Sequence, residues 1–312
     1  MTTGVLVMAY GTPRDRDDVA AYYTDIRRGR PPTDEQLADL VARYDAIGGT
    51  FPLRAITEAQ VAAIASNLGD GYVTEAGYKH AAPSIEDATA TLAGKGANHI
   101  VGLVLAPHFS ALSVGEYARR ASHAAAARGV EMDVIESWHL MPAYLDFLAR
   151  AVTDAQGELP EEVRRDADVV FTAHSLPEKA VPAGDPYPDQ VRATAESVAT
   201  LADLFRWSTA WQSAGRTPDP WLGPDVLDVI RVAADEGERG VVVCACGFVA
   251  DHLEVAYDLD VAARGLAAEL GVPFARTRSV NDDPAVLAAL AGLVRDRAAQ
   301  AAGDDHDHDR RS

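Results

Sequence analysis

Residues 247–258 read Gly-Phe-Val-Ala-Asp-His-Leu-Glu-Val-Ala-Tyr-Asp, crowding Asp251, His252, Glu254 and Asp258 into eight positions. Carboxylates grouped with an imidazole can hold a divalent cation or exchange protons. The stretch follows an apolar run, 240–246, with the length and composition of a buried strand. Asp251, His252 and Glu254 would then emerge at the carboxyl end of that strand. A helix opening at Glu254 would put Glu254 and Asp258, four residues apart, on one face. The same residues also suit an ordinary acidic helix start, where carboxylates complement the backbone dipole. Taken alone, the stretch leaves both readings open.

The elements that must position these groups recur along the chain. Strand-like runs fall at 4–9, 72–78, 100–106, 132–135, 168–172, 209–212 and 240–246. Helical spacing separates them at 57–68, at 115–128, up to about 156, at 190–204 and from 284 to about 300. Ser84 and Asp283 stand where helix caps belong, and Pro284 suits a first helical position. Strands alternating with helices predict an α/β fold of two domains, each a parallel sheet flanked by helices. Gly157-Glu-Leu-Pro160 marks a boundary, giving domains 1–157 and 158–300. Residues 301–312, rich in Asp and His, are expected to form an acidic disordered tail and not a metal site. Ligands of open parallel sheets lie beyond the carboxyl ends of the strands. Here those ends carry Tyr10, His108, His174, and His252 with Glu254, which points to one active cleft between the halves.

With 312 residues, 48% of them hydrophobic, the chain can fill two cores. Lys+Arg 28 against Asp+Glu 47 leaves a net charge of −19, which argues against a nucleic-acid partner. An island of positive charge nevertheless lies in a polar segment holding Tyr22, Tyr23, Arg27, Arg28 and Arg30, with Arg43 and Tyr44 beyond it. Lysine occurs only at 79, 95 and 179. Adaptation to high salt and codon bias in a GC-rich genome both account for that. Cys244 and Cys246, two apart on one expected strand, cannot readily bridge each other, and fall short of a four-cysteine iron–sulfur or zinc site. A reducing cytoplasm is the expected setting. No apolar run approaches the ~18 residues of a membrane span, and the first residues lack the basic and apolar regions of a signal peptide.

The longer motifs are more specific. They are Leu6-Val-Met-Ala-Tyr-Gly-Thr-Pro13, Tyr22-Tyr-Thr-Asp-Ile-Arg-Arg-Gly-Arg30, Arg43-Tyr-Asp-Ala-Ile-Gly-Gly49, Leu105-Ala-Pro-His-Phe-Ser110, Ala173-His-Ser-Leu-Pro177, Trp211-Gln-Ser213, Thr217-Pro-Asp-Pro-Trp-Leu-Gly-Pro-Asp225 and Gly247-Phe-Val-Ala-Asp-His-Leu-Glu254. In this order, from about residue 4 to residue 296, the chain resembles the ferrochelatases, and closely the short soluble coproporphyrin ferrochelatases. The resemblance implies two Rossmann-like domains of chelatase type clamping a tetrapyrrole, into which ferrous iron is inserted. Coproporphyrin III would give coproheme, a step of haem biosynthesis. Matched residue by residue, His174 and Glu254 correspond to the family's iron site, and Tyr10 to a tyrosine that can ligate metal on the opposite face of the macrocycle. Arg27, Arg43, Tyr44 and Tyr117 match positions that contact the porphyrin or its propionates, and Asp258 an outer metal ligand. Porphyrin and Fe²⁺ would be substrates, with no resident cofactor, no iron–sulfur cluster and a monomeric enzyme.

The chemistry asks for such residue types. Insertion exchanges two pyrrole N–H protons for one Fe²⁺, so a base must lie over the ring, and an imidazole titrating near neutrality is suited to it. Fe²⁺ accepts both imidazole and carboxylate ligands, and Arg27, Arg28, Arg30 and Arg43 offer forked donors to propionates. Two positions depart from the family pattern: Ala262 interrupts the acidic stripe of Glu254 and Asp258, and Phe51 replaces a serine. Other readings are a protoporphyrin IX ferrochelatase, a chelatase of a less oxidised tetrapyrrole and a non-catalytic porphyrin carrier. A serine hydrolase is disfavoured by the lack of a Gly-x-Ser-x-Gly elbow. Considered singly, His174 also suits a satisfied core histidine, Tyr10 a packing tyrosine, Tyr117 a residue half core and half pocket wall, and His108 a structural partner.

Overall fold

Val5, Leu6 and Val7 are each at most 1% exposed, because strand β1 (Thr3–Ala9) runs through the middle of a sheet covered on both faces. The computed structural model describes residues 2–181, 184–215, 218–237 and 239–308, with backbone alone at 180 and 302–308. After β1 come α1 (Val19–Ile26), α2 (Asp34–Ala46), α3 (Leu53–Leu68), β2 (Tyr72–Tyr78), α4 (Ile85–Gly94), β3 (His99–Val104), α5 (Val114–Ala126) and β4 (Glu131–Ile135). Then follow α6 (Pro142–Glu158), α7 (Glu161–Arg164), β5 (Asp168–His174), α8 (Tyr187–Leu201), β6 (Trp207–Gln212), α9 (Val226–Glu236) and β7 (Val241–Cys244). The chain closes with α10 (Leu253–Val255), a π-helical stretch (Ala256–Ala263), α11 (Arg264–Leu270), β8 (Phe274–Arg276) and α12 (Pro284–His308).

Two parallel four-stranded sheets result, ordered β2-β1-β3-β4 and β6-β5-β7-β8. The second repeats the first strand for strand, so β5 is the counterpart of β1 and β7 that of β3. This is the two-domain α/β architecture expected, with helices over both sheets.

The domain limits differ from the expected cut at 157/158. Helix α6 packs on β7, β8 and α8, so it belongs to the second sheet, while α12 returns to α3, β3 and β4 of the first. The chain therefore crosses once between β4 and α6, and again before α12. The buried stripe of α6 (Tyr144, Phe147, Leu148, Ala151, Val152 and Ala155) and the buried Val286, Leu287, Leu290 and Val294 of α12 join one apolar cluster that reaches both sheets. Gly157 lies within α6, and Leu159 and Pro160 make the short turn into α7; breakers record where the backbone bends, not where a core ends. The backbone of α12 runs to His308, so residues 301–308 continue the helix in place of the expected tail, in keeping with the alanine-rich run that propagates it. Residues 309–312 of that tail lie outside the described residues, as do Arg216 and Thr217 of the Trp221 loop.

Two close approaches shape the cleft. The loop after β7 lies directly on β5: a Cβ at Gly247 would stand 2.5 Å from Ala173 Cβ and 2.6 Å from its Cα. Gly247 N also donates to Thr172 O at 2.9 Å. The absent side chain thus brings the Glu254 loop against the residue preceding His174. On the first domain, α1 and α2 occupy the basic segment, where the sequence pattern had marked no helix. A reciprocal cap between Thr33 and Gln36 starts α2, and α2 leans on the π-helical stretch of the second domain.

Candidate active site

His174 is the last residue of β5. Its Nδ1 donates to Ser175 O at 2.5 Å, which turns Nε2 outward, and the Tyr187 hydroxyl donates to His174 O at 3.1 Å. Nε2 faces Glu254 Oε1 at 3.6 Å. The other Glu254 oxygen faces His252 Nε2 at 3.5 Å, and His252 Nδ1 donates to Ala250 O at 2.9 Å. One carboxylate thus lies between two imidazoles, each held by a backbone carbonyl through its far nitrogen. Both distances exceed a good hydrogen bond, so the carboxylate is flanked by the two rings with room beside it. The His174 and Glu254 side chains are 36% and 40% exposed, open on one side.

Burial alone would lower the His174 pKa, but the Glu254 charge, the Ser175 carbonyl and Asp258 outweigh it and push it up to about 9. Burial would likewise raise Glu254, yet His174 and then His252 hold it well below the usual carboxylate range. Each partner thus favours the charged form of the other, imidazolium on His174 and carboxylate on Glu254. This differs from the near-neutral imidazole expected from the sequence, and the cause is a carboxylate supplied by the short helix that follows a different strand.

Asp258 lies on the π-helical stretch, one turn beyond Glu254, a conformation often found at functional sites. Ser213 Oγ donates to its Oδ2 at 2.5 Å. Burial, and then the Glu254 charge, raise its pKa. From the first domain, the Arg43 guanidinium covers the Tyr257 ring at 4.8 Å, and its charge acts on Asp258. Arg43 Nε is buried, makes no hydrogen bond and lies 3.5 Å from Asp39 Oδ2. Ala262 adds no ligand at the next four-residue step of the stretch.

The facing wall is aromatic and neutral. Tyr10, just past β1 and 42% exposed, lies 4.7 Å from the His80 ring. Desolvation, then the charges of Glu254, Glu116 and Asp25, push its phenol above the ordinary range. Tyr22 donates to Gly11 O at 3.3 Å, and burial followed by neighbouring phenols and Glu254 raises it well above ordinary values. Tyr44 is pushed up to about 12, by burial first and by Glu254 in addition. The Glu254 charge thus acts on Tyr10, Tyr22 and Tyr44 of the first domain.

Several sequence expectations change here. Tyr44 and Tyr117 are 5% and 4% exposed, packed in the interior and not open to the cleft. Tyr44 stacks on Phe51 at 4.3 Å, which accounts for an aromatic at position 51. Tyr117 lies on the core face of α5 with Lys79 Nζ 5.5 Å from its ring centroid. Arg27 caps the end of α1, its Nε donating to Arg30 O at 3.3 Å and its guanidinium over Tyr23. His108, one of the four polar strand exits, is 2% exposed and pairs with Thr194 Oγ1 at 2.9 Å, in the seam between the domains. His252, read from the sequence as a strand-exit group, takes the far side of Glu254, while Tyr22 and Ser213 join the set although spacing did not single them out. Each lies inside a motif quoted above, and motif membership was the one signal available.

Among the described residues, no group of three or more His, Cys, Asp or Glu side chains is arranged to enclose a metal ion. The His174 and Glu254 pair offers donors from one side only, so an ion meeting it keeps positions free for another ligand.

Known proteins are similar to this chain along nearly its whole length. The family model described as Ferrochelatase matches residues 2–298. The coproporphyrin III ferrochelatase of Geobacillus thermodenitrificans is 43% identical over 98% of this chain and 99% of its own. That of Bacillus pumilus is 44% identical over 93% and 96%, and a ferrochelatase of Herpetosiphon aurantiacus is 39% identical over 94% and 98%. Among solved structures, SirB from Bacillus subtilis with Fe³⁺ superposes with a TM-score of 0.60 at 14% identity, covering 97% of this chain and 98% of that one, which is a likeness of fold. A full-length match to the family model and these identities across nearly the whole chain lead to one conclusion: the chain belongs to the ferrochelatase family.

Proposed function

We propose that this enzyme inserts ferrous iron into coproporphyrin III, giving iron coproporphyrin III (coproheme) in haem biosynthesis. The observation that carries the reading is the approach of His174 Nε2 to Glu254 Oε1 at 3.6 Å, with both side chains partly exposed. Relatives 43% and 44% identical carry that substrate in their names.

The reaction replaces two pyrrole protons by Fe²⁺, and His174 takes each in turn at Nε2 and releases it to solvent on the exposed side of the pair. Its Nε2 is protonated before substrate arrives, so it must first be emptied. An approaching dication does this, because a like charge nearby disfavours imidazolium, and the displaced proton leaves to solvent on the exposed side of the pair. Glu254 then neutralises part of the iron charge and replaces water in its shell, while His252 holds the carboxylate from the other side. Asp258, pinned by Ser213, is an outer ligand on the iron's path. Tyr10 faces the opposite side of the macrocycle as a neutral phenol able to meet the metal. Arg43 and Arg27 serve the propionates, Arg43 from the cleft itself and Arg27 from its rim. Tyr44 and Tyr117 act through packing, as the floor beneath the first wall.

Both iron and porphyrin are substrates on this reading, and no resident cofactor is required. Both walls come from one chain, which supports action as a monomer. Two buried free thiols, Cys244 and Cys246, support a reducing cytoplasm. No helix among the described residues is long and apolar enough to cross a membrane. The test is anaerobic Fe²⁺ with coproporphyrin III and protoporphyrin IX in separate assays, the first being metallated faster. Metallation of neither removes the enzymatic reading. A clear preference for protoporphyrin IX removes only the substrate.

A further inference from the structure

Gln60 is a polar side chain that the reaction above does not use, yet it is 1% exposed in the middle of α3. Its Nε2 donates to two carbonyls of the other domain, Asn281 O at 2.8 Å and Val249 O at 3.2 Å. These two backbone positions are themselves joined, Asn281 N donating to Val249 O at 2.9 Å. Asn281 adopts a left-handed φ of 46°, a conformation that asparagine tolerates better than most residues. Its side chain clasps Asp251 from both sides: Nδ2 donates to Asp251 Oδ2 at 2.8 Å, and Oδ1 accepts from Asp251 N at 2.9 Å. The remaining Asp251 oxygen accepts from Ser279 Oγ at 2.9 Å and from Arg276 Nη1 at 3.2 Å. Residues 249–251 are thus fastened at backbone and side chain, and the chain continues at once into His252 and Glu254.

We infer that Gln60 is a positioning residue: through Val249 and Asn281, the first domain holds the loop that sets Glu254 opposite His174. A buried side chain that spends both amide hydrogens on another domain's backbone locks a relative placement, since losing it strands a buried carbonyl. Asn281 relays that placement to Asp251, three residues before Glu254. Docking of the domains and assembly of the iron-handling pair are therefore one event, whereas the porphyrin's aromatic wall lies on the first domain and does not depend on this clasp. The inference rests on the reading that Glu254 handles iron.

The experiment uses the full chain. Gln60→Leu preserves volume and removes both hydrogen bonds. Folding is followed by circular dichroism, coproporphyrin III binding by fluorescence quenching, and insertion at varied Fe²⁺. Loss of an outer-shell support is expected to lower kcat/KM for Fe²⁺ by ~10- to 100-fold, with porphyrin Kd unchanged; a merely structural role would not separate the two. Wild-type iron kinetics in folded Gln60→Leu overturns the inference. If that variant does not fold, Asn281→Gly replaces it, because glycine accepts the positive φ and keeps the carbonyl for Gln60 while releasing Asp251. The same split is expected, and wild-type iron kinetics there also overturns it. Glu254→Gln separates the two levels. Normal insertion by Glu254→Gln overturns both the iron-site reading and the clasp, whereas an inactive Glu254→Gln beside an unaltered Gln60→Leu overturns the clasp alone.

Discussion

The two sheets share one strand order, β2-β1-β3-β4 and β6-β5-β7-β8, yet their corresponding strand ends carry opposite chemistry. The exits of β1 and β3 present Tyr10 and His108; those of β5 and the β7 loop present His174 and Glu254. Repetition of topology duplicates positions, and neighbours then decide what each position can do. The two histidines make the point. His174 is driven up to about 9 by a carboxylate and remains open on one side. Burial, with a smaller contribution from His139, drives His108 down to about 3. Its Nε2 partner is a neutral hydroxyl, and its Nδ1 is buried without a hydrogen-bond partner. One histidine is a charged group in a cleft, the other an uncharged piece of a seam.

The largest test of that contrast is His174→Ala. Insertion should fall by the ~10²–10⁴ of a lost acid–base group while fluorescence still reports porphyrin binding. An unchanged rate would erase the distinction between the walls. Next comes acid stability. The His108 pKa in the folded chain lies below its unfolded value of 6.5, so its contribution is complete above pH 6.5 and is lost as pH falls toward 3. By pH 4 the loss should reach roughly 3 kcal/mol. Denaturant titrations at pH 7 and pH 4 should show a smaller difference for His108→Gln than for the wild type, and equal differences would mean that His108 is charged like its counterpart. Gly247→Ala sharpens the contrast from the backbone side: a Cβ driven into Ala173 should cost about 1–3 kcal/mol and weaken insertion by parting Glu254 from His174. A calorimetric Tm equal to that of the wild type would show that the approach is not tight. The smallest effect is expected from Tyr10→Phe, a change in the insertion barrier within about 1 kcal/mol, the worth of one neutral hydrogen bond. A loss as deep as that of His174→Ala would make the phenol wall a partner in the proton chemistry.

Most strands were legible in the sequence because runs such as 100–106 and 240–246 are buried on both faces and read as continuous apolar stretches. Strand β8 was not, since three residues leave no pattern. Helices α1 and α2 were hidden because only Val19 and Tyr44 are fully buried along them, so charge dominates the composition. Thr33 and Gln36, spaced as a capping box, were the overlooked cue. The division into domains misled for a different reason: α6 and α12 exchange sheets, and nothing in an amphipathic stripe says which sheet it will cover. At the site, His174, Glu254 and Tyr10 were readable from motifs at strand ends. The burial of Tyr44 and Tyr117, and the place of Arg27 at a helix end, depend on side-chain packing that the motifs do not encode.

Local sequence thus determined which groups stand at the mouths of strands, because apolar runs, breakers and the two-residue alternation of a strand act over short stretches of chain. Which of those groups meet, and which carry charge, was decided only by tertiary structure. His174 and Glu254 lie 80 residues apart in the sequence, and an imidazole's proton answers to desolvation and to charges within a few ångströms, whatever part of the chain supplies them.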